Sequence, residues 1–457
     1  MNNALPTEAP TKPKLGRILK IALPIIASNA SYVVMLFIDR LFLSRLGKQE
    51  LAAAMSGGLT SLVVSAFFVG LIGYVSALVA QYYGANKPQM CNRAVIQAFY
   101  LCFASYPILL CFMPIIKYVF IIAGQEPTLA NFATIYAKTL LAGSIFLIVR
   151  TVAGSFFVGI GKTKIVMVAN LVGTLVNVPL NYTLIFGKFG FPALGVQGAA
   201  LGTVCAGSVT CMILLGAYLK EISRPPYQTQ HLLKYRPDIL KRLLLFGLPA
   251  GVSPFLNWFA FNVFVQVMHS YGADTAAAAT IAFNWDAVVF IPMIGLGITA
   301  STVVGQHIGA NDHDGAQHST YLIMRIGTIY AIIMMAIFIG FTDILTSVFA
   351  SGLPDADRQT QHMANNLLRL LALYAFANAN KLVLGGALRA AGDTTWVMWV
   401  SITIHWAMAI AVIILVHVSH VHQYIAWSTL VIMNNTHFLS LLYRFRTGKW
   451  RKIQLIA

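Results

Sequence analysis

Residues 76–86 read SALVAQYYGAN, and residues 301–311 read STVVGQHIGAN. Set against each other without a gap at an offset of 225, Ser76, Val79, Gln81, Gly84, Ala85 and Asn86 recur as Ser301, Val304, Gln306, Gly309, Ala310 and Asn311. The register extends backwards. Leu23-Pro24 recurs as Leu248-Pro249, Ser28 as Ser253, Gly47 as Gly272 and Gly70 as Gly295. Further along, at an offset of 231, Gly154, Gly161, Thr163, Val166 and Met167 recur as Gly385, Gly392, Thr394, Val397 and Met398. The chain is thus a duplication, and duplicated halves are the sequence mark of many transporters.

The surroundings of the repeat say what is duplicated. Of the 457 residues, 58% are hydrophobic and 10% charged, and the mean hydropathy is +0.74. Soluble domains carry about 25% charged residues, so cytosolic enzymes, secreted disulfide scaffolds and disordered chains are excluded. Apolar runs between polar breaks predict twelve spans, at 18–43, 50–80, 94–116, 128–150, 165–186, 195–217, 243–269, 275–306, 319–341, 362–385, 396–417 and 423–443. The expected fold is an all-α polytopic membrane protein, with twelve transmembrane helices in two six-helix lobes. An even number of spans separates equivalent positions, so the lobes share one orientation and are related by a pseudo-twofold axis along the membrane normal. The expected divisions are a tail at 1–17, an N-lobe at 18–217, a linker at 218–242, a C-lobe at 243–445 and a tail at 446–457. Such bundles leave a central cleft that rocking can open to either side.

The net charge is +17, from 31 Lys and Arg against 14 Asp and Glu. In a membrane protein the positive-inside bias accounts for it, without any nucleic acid partner. With both termini cytoplasmic, 21 of the 31 basic residues fall on the inner face, among them Lys20, Lys87, Lys164, Arg242, Arg389 and the cluster from Arg444 to Lys452. The acidic stretch from Thr342 to Thr360 falls outside. The five cysteines have no ligand or disulfide spacing. No His-rich metal motif, nucleophile elbow, phosphate loop or carboxylate pair is present, so an enzyme, a cofactor and a metal are not expected. Most histidines lie near span ends, as solvated interfacial groups; His405 stands inside a span, alone.

Four segments, in this order and spacing, resemble the multidrug and toxic compound extrusion (MATE) family in its NorM-like bacterial branch. They are ALPIIASNASYVVMLFIDRLFLSRLG in the first span, NVPLNYTLIFGKFGFPALG across the fifth and sixth, LPAGVSPFLNWFAF in the seventh and GGALRAAGDT after the tenth. The resemblance runs from about Leu15 to Thr447. It implies a multi-pass protein of the bacterial inner membrane, expected as a monomer among lipids, that exports small amphipathic, cationic compounds in exchange for protons or sodium.

Ionisable groups inside a span are expensive and functional by default. Asp39 and Asp286 are the acids well inside the spans. Asp39 lies about 31 Å along its helix from the inner end, hence in the outer half. On the residues alone it is either a site carboxylate or an interfacial partner of Arg40. The resemblance puts it at the family's first-span aspartate, with Asn177 and Asn181, one turn apart in the fifth span, and Thr203 in the sixth. These four form the expected cation-coupling site, for a proton or for sodium. In the C-lobe, Asn257 and Asn378 occupy the places where sodium-coupled relatives carry acids, and neutral amides cannot release a proton. Asp286 is then either a relocated carboxylate facing the cleft, near Asn257, Asn284, Asn378 and Asn380, or a buried partner of Lys381. Lys381 matches Arg150 in the repeat, which favours snorkelling towards the inner face. Pro24 and Pro249 mark expected bends in the first and seventh spans. Aromatics are plentiful, but none is singled out for substrate. The alternatives are a lipid-linked precursor flippase, whose diphosphate would need Arg150, Arg369 and Lys381 together, and more remotely a channel or membrane enzyme.

Overall fold

The computed structural model describes residues 15–122, 125–228, 233–350 and 358–456. Most of the expected N-terminal tail, and Asp355 and Asp357 of the outer loop, lie outside them. The first half runs α1 (Leu15–Ser44), α2 (Lys48–Gly73), α3 (Val75–Gly84), α4 (Pro88–Cys111), α5 (Met113–Ile122), α6 (Pro127–Ala142), α7 (Ser144–Gly159), α8 (Thr163–Phe186) and α9 (Gly195–Ile222). The second half runs α10 (Pro237–His269), α11 (Ala273–Gly309), α12 (His313–Gly340), α13 (Thr342–Ala350), α14 (Arg358–Ala390), α15 (Thr394–His417) and α16 (Gln423–Arg446), then a short 3-10 turn at Lys449–Lys452. All described regular structure is helical.

These helices make twelve spans in two lobes, with three of the first-lobe spans broken. α2 passes into α3 at Tyr74, α4 into α5 at Phe112, and α6 meets α7 at Gly143 with a 43° bend. In the second lobe the counterpart of α2 and α3 is the single 37-residue α11. By length and hydropathy, ten described helices are fit to cross a membrane, eleven with the bent pair. α16 falls short because Asn434, Asn435, Thr436 and His437 interrupt its apolar run, yet its 24 residues reach about 36 Å, enough to cross.

The repeat is visible in the backbone. Asn86 and Asn311 both turn the chain with positive φ, 56° and 58°, between equivalent helices; Asn tolerates this conformation better than most residues. Gly84 and Gly309 cross the pseudo-twofold axis. A methyl group on Gly84 would stand 1.9 Å from the Gln306 carbonyl oxygen, and one on Gly309 1.9 Å from that of Gln81. The two helices can therefore touch only where neither carries a side chain.

α1 and α10 straddle the lobes. The first turns of α1, through Ile18, Ile21, Ala22 and Ile25, pack with Leu296, Ala300 and Val303 of α11. Its distal end, around Leu43, packs with Ala54, Tyr136 and Ile185 of its own lobe. α10 does the converse: Ile239 and Leu243 join the first-lobe core, whereas Phe264, Val267 and Met268 join that of the second. Both helices run through their prolines, Pro24 in α1 and Pro249 with Pro254 in α10.

The start of α1 and the C-terminal segment meet at one face, where Arg17 and residues 451–456 line a common cavity. We call it the terminal face. The side-chain bonds joining the lobes gather there: Gln81 Nε2 donates to the Ala390 carbonyl at 2.7 Å, and Gln306 Nε2 to that of Gly159 at 2.9 Å, a pair related by the repeat. Arg17 donates to Gln306 Oε1 at 2.9 Å and the Tyr74 hydroxyl to the Arg389 carbonyl at 3.0 Å. The lobes are shut on this side, and among the described residues no such bond joins them in the distal half. The linker is docked on α4, where Gln97 bonds the Lys234 carbonyl at 3.2 Å and accepts from the Arg236 amide at 3.1 Å.

Candidate functional site

A polar ladder fixes α8 on α1. Thr163 donates to the Ile21 carbonyl at 3.0 Å, Asn170 to the Ser28 hydroxyl at 2.6 Å, and Thr174 to the Ser31 carbonyl at 3.4 Å. These α8 positions recur at helical spacing on one face, and the same face carries Asn177 and Asn181. The last rung joins Asn181 to Asp39: Asn181 Nδ2 donates to Asp39 Oδ1. Its other hydrogen goes to Asn177 Oδ1 at 3.3 Å. From α9, the Thr203 hydroxyl stands 3.4 Å from Asp39 Oδ2 and 3.0 Å from the Ala199 carbonyl.

All four expected N-lobe residues thus converge. Asp39 is 3% exposed, and Asn177 and Asn181 are 0% exposed. Among the described residues Asp39 has no ion pair within 4.0 Å, so Arg40 is not its salt-bridge partner. A feature that the residue types alone do not reveal is Gly202. A methyl group there would stand 1.7 Å from Asn181 Oδ1, so the amide reaches Asp39 only because α9 has no side chain at that point. Asn181 Oδ1 and Asn177 Nδ2 are buried without a hydrogen-bond partner. Leaving a buried polar atom unpaired costs about 1–3 kcal/mol, so the site holds polar groups ready for another partner.

The geometry can hold a monovalent cation or a proton, with different demands. For sodium, the two carboxylate oxygens, Asn177 Oδ1 and Thr203 Oγ1 are available, but Asn181 turns its nitrogen to the carboxylate and would have to rotate. For a proton, no rearrangement is needed. The single hydrogen of Thr203 can serve Ala199, which leaves its hydroxyl oxygen to accept from a protonated Asp39.

The C-lobe candidates separate into three places. Asp286 on α11, half-buried, accepts from the Tyr374 hydroxyl of α14 at 2.6 Å. Lys381 does not pair with it within 4.0 Å; its ammonium donates to Asn434 Oδ1 of α16 at 2.5 Å. Of the two readings of Asp286, the ion pair with Lys381 is not formed; two separate hydrogen bonds stand in its place. Asn378 is buried on α14, one turn beyond Tyr374. Asn380 faces away from that group, donating to Thr328 of α12 at 3.0 Å and to the Phe376 carbonyl at 2.9 Å. Asn284 is exposed and, two residues before Asp286, points about 200° round the helix from it, so it does not join the acid. Asn257 donates to Ser401 of α15 at 2.7 Å and to Ser253 at 3.4 Å.

His405 is not alone. Its ring lies 5.5 Å from that of His437 on α16, edge to face, and its Nδ1 is 2.7 Å from the Ser401 carbonyl. Both nitrogens of His437 are buried without a partner. Tyr374, Asn434 and His437 escape a reading of residue types because Tyr and Asn are common and His437 sits in the least apolar span. Arg369, on α14, reaches Thr342 at 3.4 Å and stands twelve residues, about 18 Å, from Lys381. The cations that a diphosphate would need do not form one pocket.

Comparison with known proteins places this arrangement. Residues 24–183 and 249–415 match the MatE family model, one stretch in each half. A probable multidrug resistance protein NorM of Bacillus anthracis is 25% identical over 402 residues, covering 87% of each chain. The multidrug resistance protein MdtK of Proteus mirabilis is 25% identical over 401 residues, covering 86% of this chain and 85% of its own. In fold, a solved multidrug resistance MATE family transporter of the MOP superfamily, in an outward-facing conformation, superposes with a TM-score of 0.86 at 20% identity, covering 96% of each chain.

Proposed function

Because the chain belongs to the MatE family, a family of transporters and not of enzymes, we propose that it is a secondary antiporter that exports small amphipathic cations in exchange for protons. The observation that carries this reading is Asp39, a carboxylate buried in the distal half and held by Asn181 and Thr203 within one lobe. The similar proteins named for multidrug resistance support the substrate class.

The mechanism follows from where α1 lies. Its distal end belongs to the Asp39 site and its first turns to the seam with α11, so one helix senses the proton and touches the other lobe. A proton on Asp39 removes the charge that holds the Asn181 amide. The carboxyl then becomes a donor, and Thr203 becomes its acceptor. That exchange loosens the last rung of the ladder and lets α1 move at Pro24, where the helix lacks one backbone bond. Motion of its first turns reaches the seam that shuts the terminal face. A proton entering from the distal side would release substrate there and allow the lobes to rock.

Proton coupling is preferred because Asn257 and Asn378 leave the second lobe without acids at those positions, and the first-lobe site has one carboxylate. Sodium needs several oxygens with compensating charge. The start of α1 and the C-terminal segment, on the basic face, are assigned to the cytoplasm by the positive-inside bias, and the family resemblance points to a monomer in the bacterial inner membrane. The test is efflux of a fluorescent cation from liposomes with separately imposed pH and sodium gradients. Export should follow the pH gradient and collapse with a protonophore. Export driven by sodium at fixed pH, untouched by the protonophore, overturns proton coupling.

A further inference from the structure

At the terminal face, beside the closed seam, lies an open cavity of about 1770 Å³ that the transport cycle sketched above does not use. Its walls come from both lobes and the C-terminal segment. α1 supplies Arg17 and Lys20, the turn after α3 Lys87, α8 Lys164, and the C-terminal segment Arg451 and Lys452. No Asp or Glu is among the residues that line it. Its membrane-side edge is apolar, with Leu19, Leu23 and Pro24, and the Leu23 side chain is exposed.

On the same face outside the cavity, two cations have acidic partners: Lys162 sits 2.5 Å from Glu221, and Arg444 makes a two-point contact with Asp393 at 2.7 and 3.0 Å. Of the cavity cations, Arg451 pairs with Asp314 at 3.0 Å, and Arg17 meets only the neutral Gln306 amide. Lys20, Lys164 and Lys452 have no acidic partner within 4.0 Å among the described residues.

The C-terminal segment is what brings Lys452 there. Trp450 is 2% exposed, stacked on Phe445 with centroids 5.1 Å apart, and its indole donates to the Phe445 carbonyl at 2.9 Å. Five residues on, Leu455 is also 2% exposed, joins the first-lobe core, and accepts from Arg242 at 3.2 Å. The segment expected as a tail is pinned at both ends, across the seam. Lys452, between the pins, lines the cavity together with Lys20 and Lys164. Ordering like charges around one concave space is unfavourable unless an anion occupies it.

We propose that this cavity binds a phosphate-bearing anion, with Lys20, Lys164 and Lys452 as its principal contacts and Arg17 in support. Lysine is a point-charge partner for phosphate. The apolar rim at Leu19 and Leu23 could seat the glycerol and first acyl carbons of an anionic lipid; a free phosphate would use the cations alone.

The full chain, purified in a zwitterionic detergent, would be titrated with short-chain phosphatidylglycerol, short-chain phosphatidylcholine or inorganic pyrophosphate, with the melting temperature as readout. The comparison is between a cavity variant, Lys20→Gln/Lys164→Gln/Lys452→Gln, and a control neutralising three exposed cations outside it, Lys220→Gln/Lys241→Gln/Arg446→Gln. The half-saturating concentration of the anion should rise at least tenfold in the cavity variant and less than twofold in the control. Response to phosphatidylglycerol but not pyrophosphate identifies a lipid headgroup; the reverse identifies a soluble phosphate. Lys164→Arg, which keeps the charge, should bind as the wild type and guards against loss by misfolding. Equal weakening in both triple variants, or no response to either anion, overturns the proposal.

Discussion

At the scale of single residues, the N-lobe site makes two sharp predictions. Asp39→Asn keeps the shape and the hydrogen-bond acceptor for Asn181 but has no proton to exchange. It should fold and insert normally and lose pH-driven export, read as efflux from liposomes; full export would remove Asp39 from the mechanism. Gly202→Ala tests the geometry. Its methyl would stand 1.7 Å from Asn181 Oδ1, so the amide must leave Asp39. Export should fall as far as in Asn181→Ala, and the double variant should lose no more than either, because all three changes remove one interaction. In the C-lobe, Tyr374→Phe should impair cation export to the same degree as Asp286→Asn if the 2.6 Å hydrogen bond is what poises that acid. Retention of export by both would leave Asp286 a structural residue. The family resemblance made Asp39, Asn177, Asn181 and Thr203 legible, and the i and i+4 spacing of the two amides agreed with it by putting them on one helix face. Residue types could not show Gly202, because what matters there is the missing side chain. They also could not set the rotation of α11 and α14. Asn284 and Asn380 looked like neighbours of Asp286, yet they point elsewhere.

At the scale of elements, polarity and breaks decided what was legible. All twelve spans were visible as apolar runs, the last expected at 423–443 and found as α16, Gln423–Arg446, although its Asn and His residues dilute it. The interruptions at Tyr74 and Gly143 carry no proline, whereas Pro114, just after Phe112, removes a backbone donor at the break between α4 and α5. Helix ends differ between the halves as well. α12 is capped by Asp312, whose carboxylate accepts from the Gly315 amide at 2.8 Å, whereas the repeat-equivalent residue of α4 is Lys87, with no side-chain cap. Burial opposes the charge on Asp312, but the Gly315 amide and His307 outweigh it and hold the carboxyl below its ordinary value. A lowered carboxyl contributes stability above its unfolded value, about pH 4, and loses it as the pH falls through the folded one. Asp312→Ala should therefore cost about 1 kcal/mol at pH 7, less to the extent that solvent screens this partly exposed group. The gap between variant and wild type at pH 7 should narrow in acid, once the pH falls through the folded value. Thermal denaturation at neutral and acid pH measures it, and a gap that persists in acid would assign the loss to something other than the charge.

At the scale of the whole molecule, the duplication does more than double the helices. It brings Gly84 and Gly309 together on the axis and gives each lobe one glutamine that reaches into the other. The offset of 225 fixes which residues are equivalent, but not that they meet; that depends on how the lobes are tilted. In the present state the seam is shut at the terminal face, so the lobes can part only on the distal side. Each glutamine bond is worth about 1 kcal/mol net. Gln81→Ala/Gln306→Ala removes both and also the bond from Arg17 to Gln306, so the balance between the shut and open forms of this face should move by about 3 kcal/mol, more than a hundredfold. Gly84→Ala should go further. Its methyl would stand 1.9 Å from a backbone carbonyl, and no rotamer change can relieve that. The face should then fail to close, and the protein should bind substrate from that side without exporting it. Labelling of a single cysteine placed at Asn311 by a membrane-impermeant thiol reagent, on a background lacking the five native cysteines, reports the change. It should rise moderately in the glutamine pair and fully in Gly84→Ala, while export declines in the same order. Unchanged labelling with normal export in Gly84→Ala would mean that the lobes do not close on these glycines during transport.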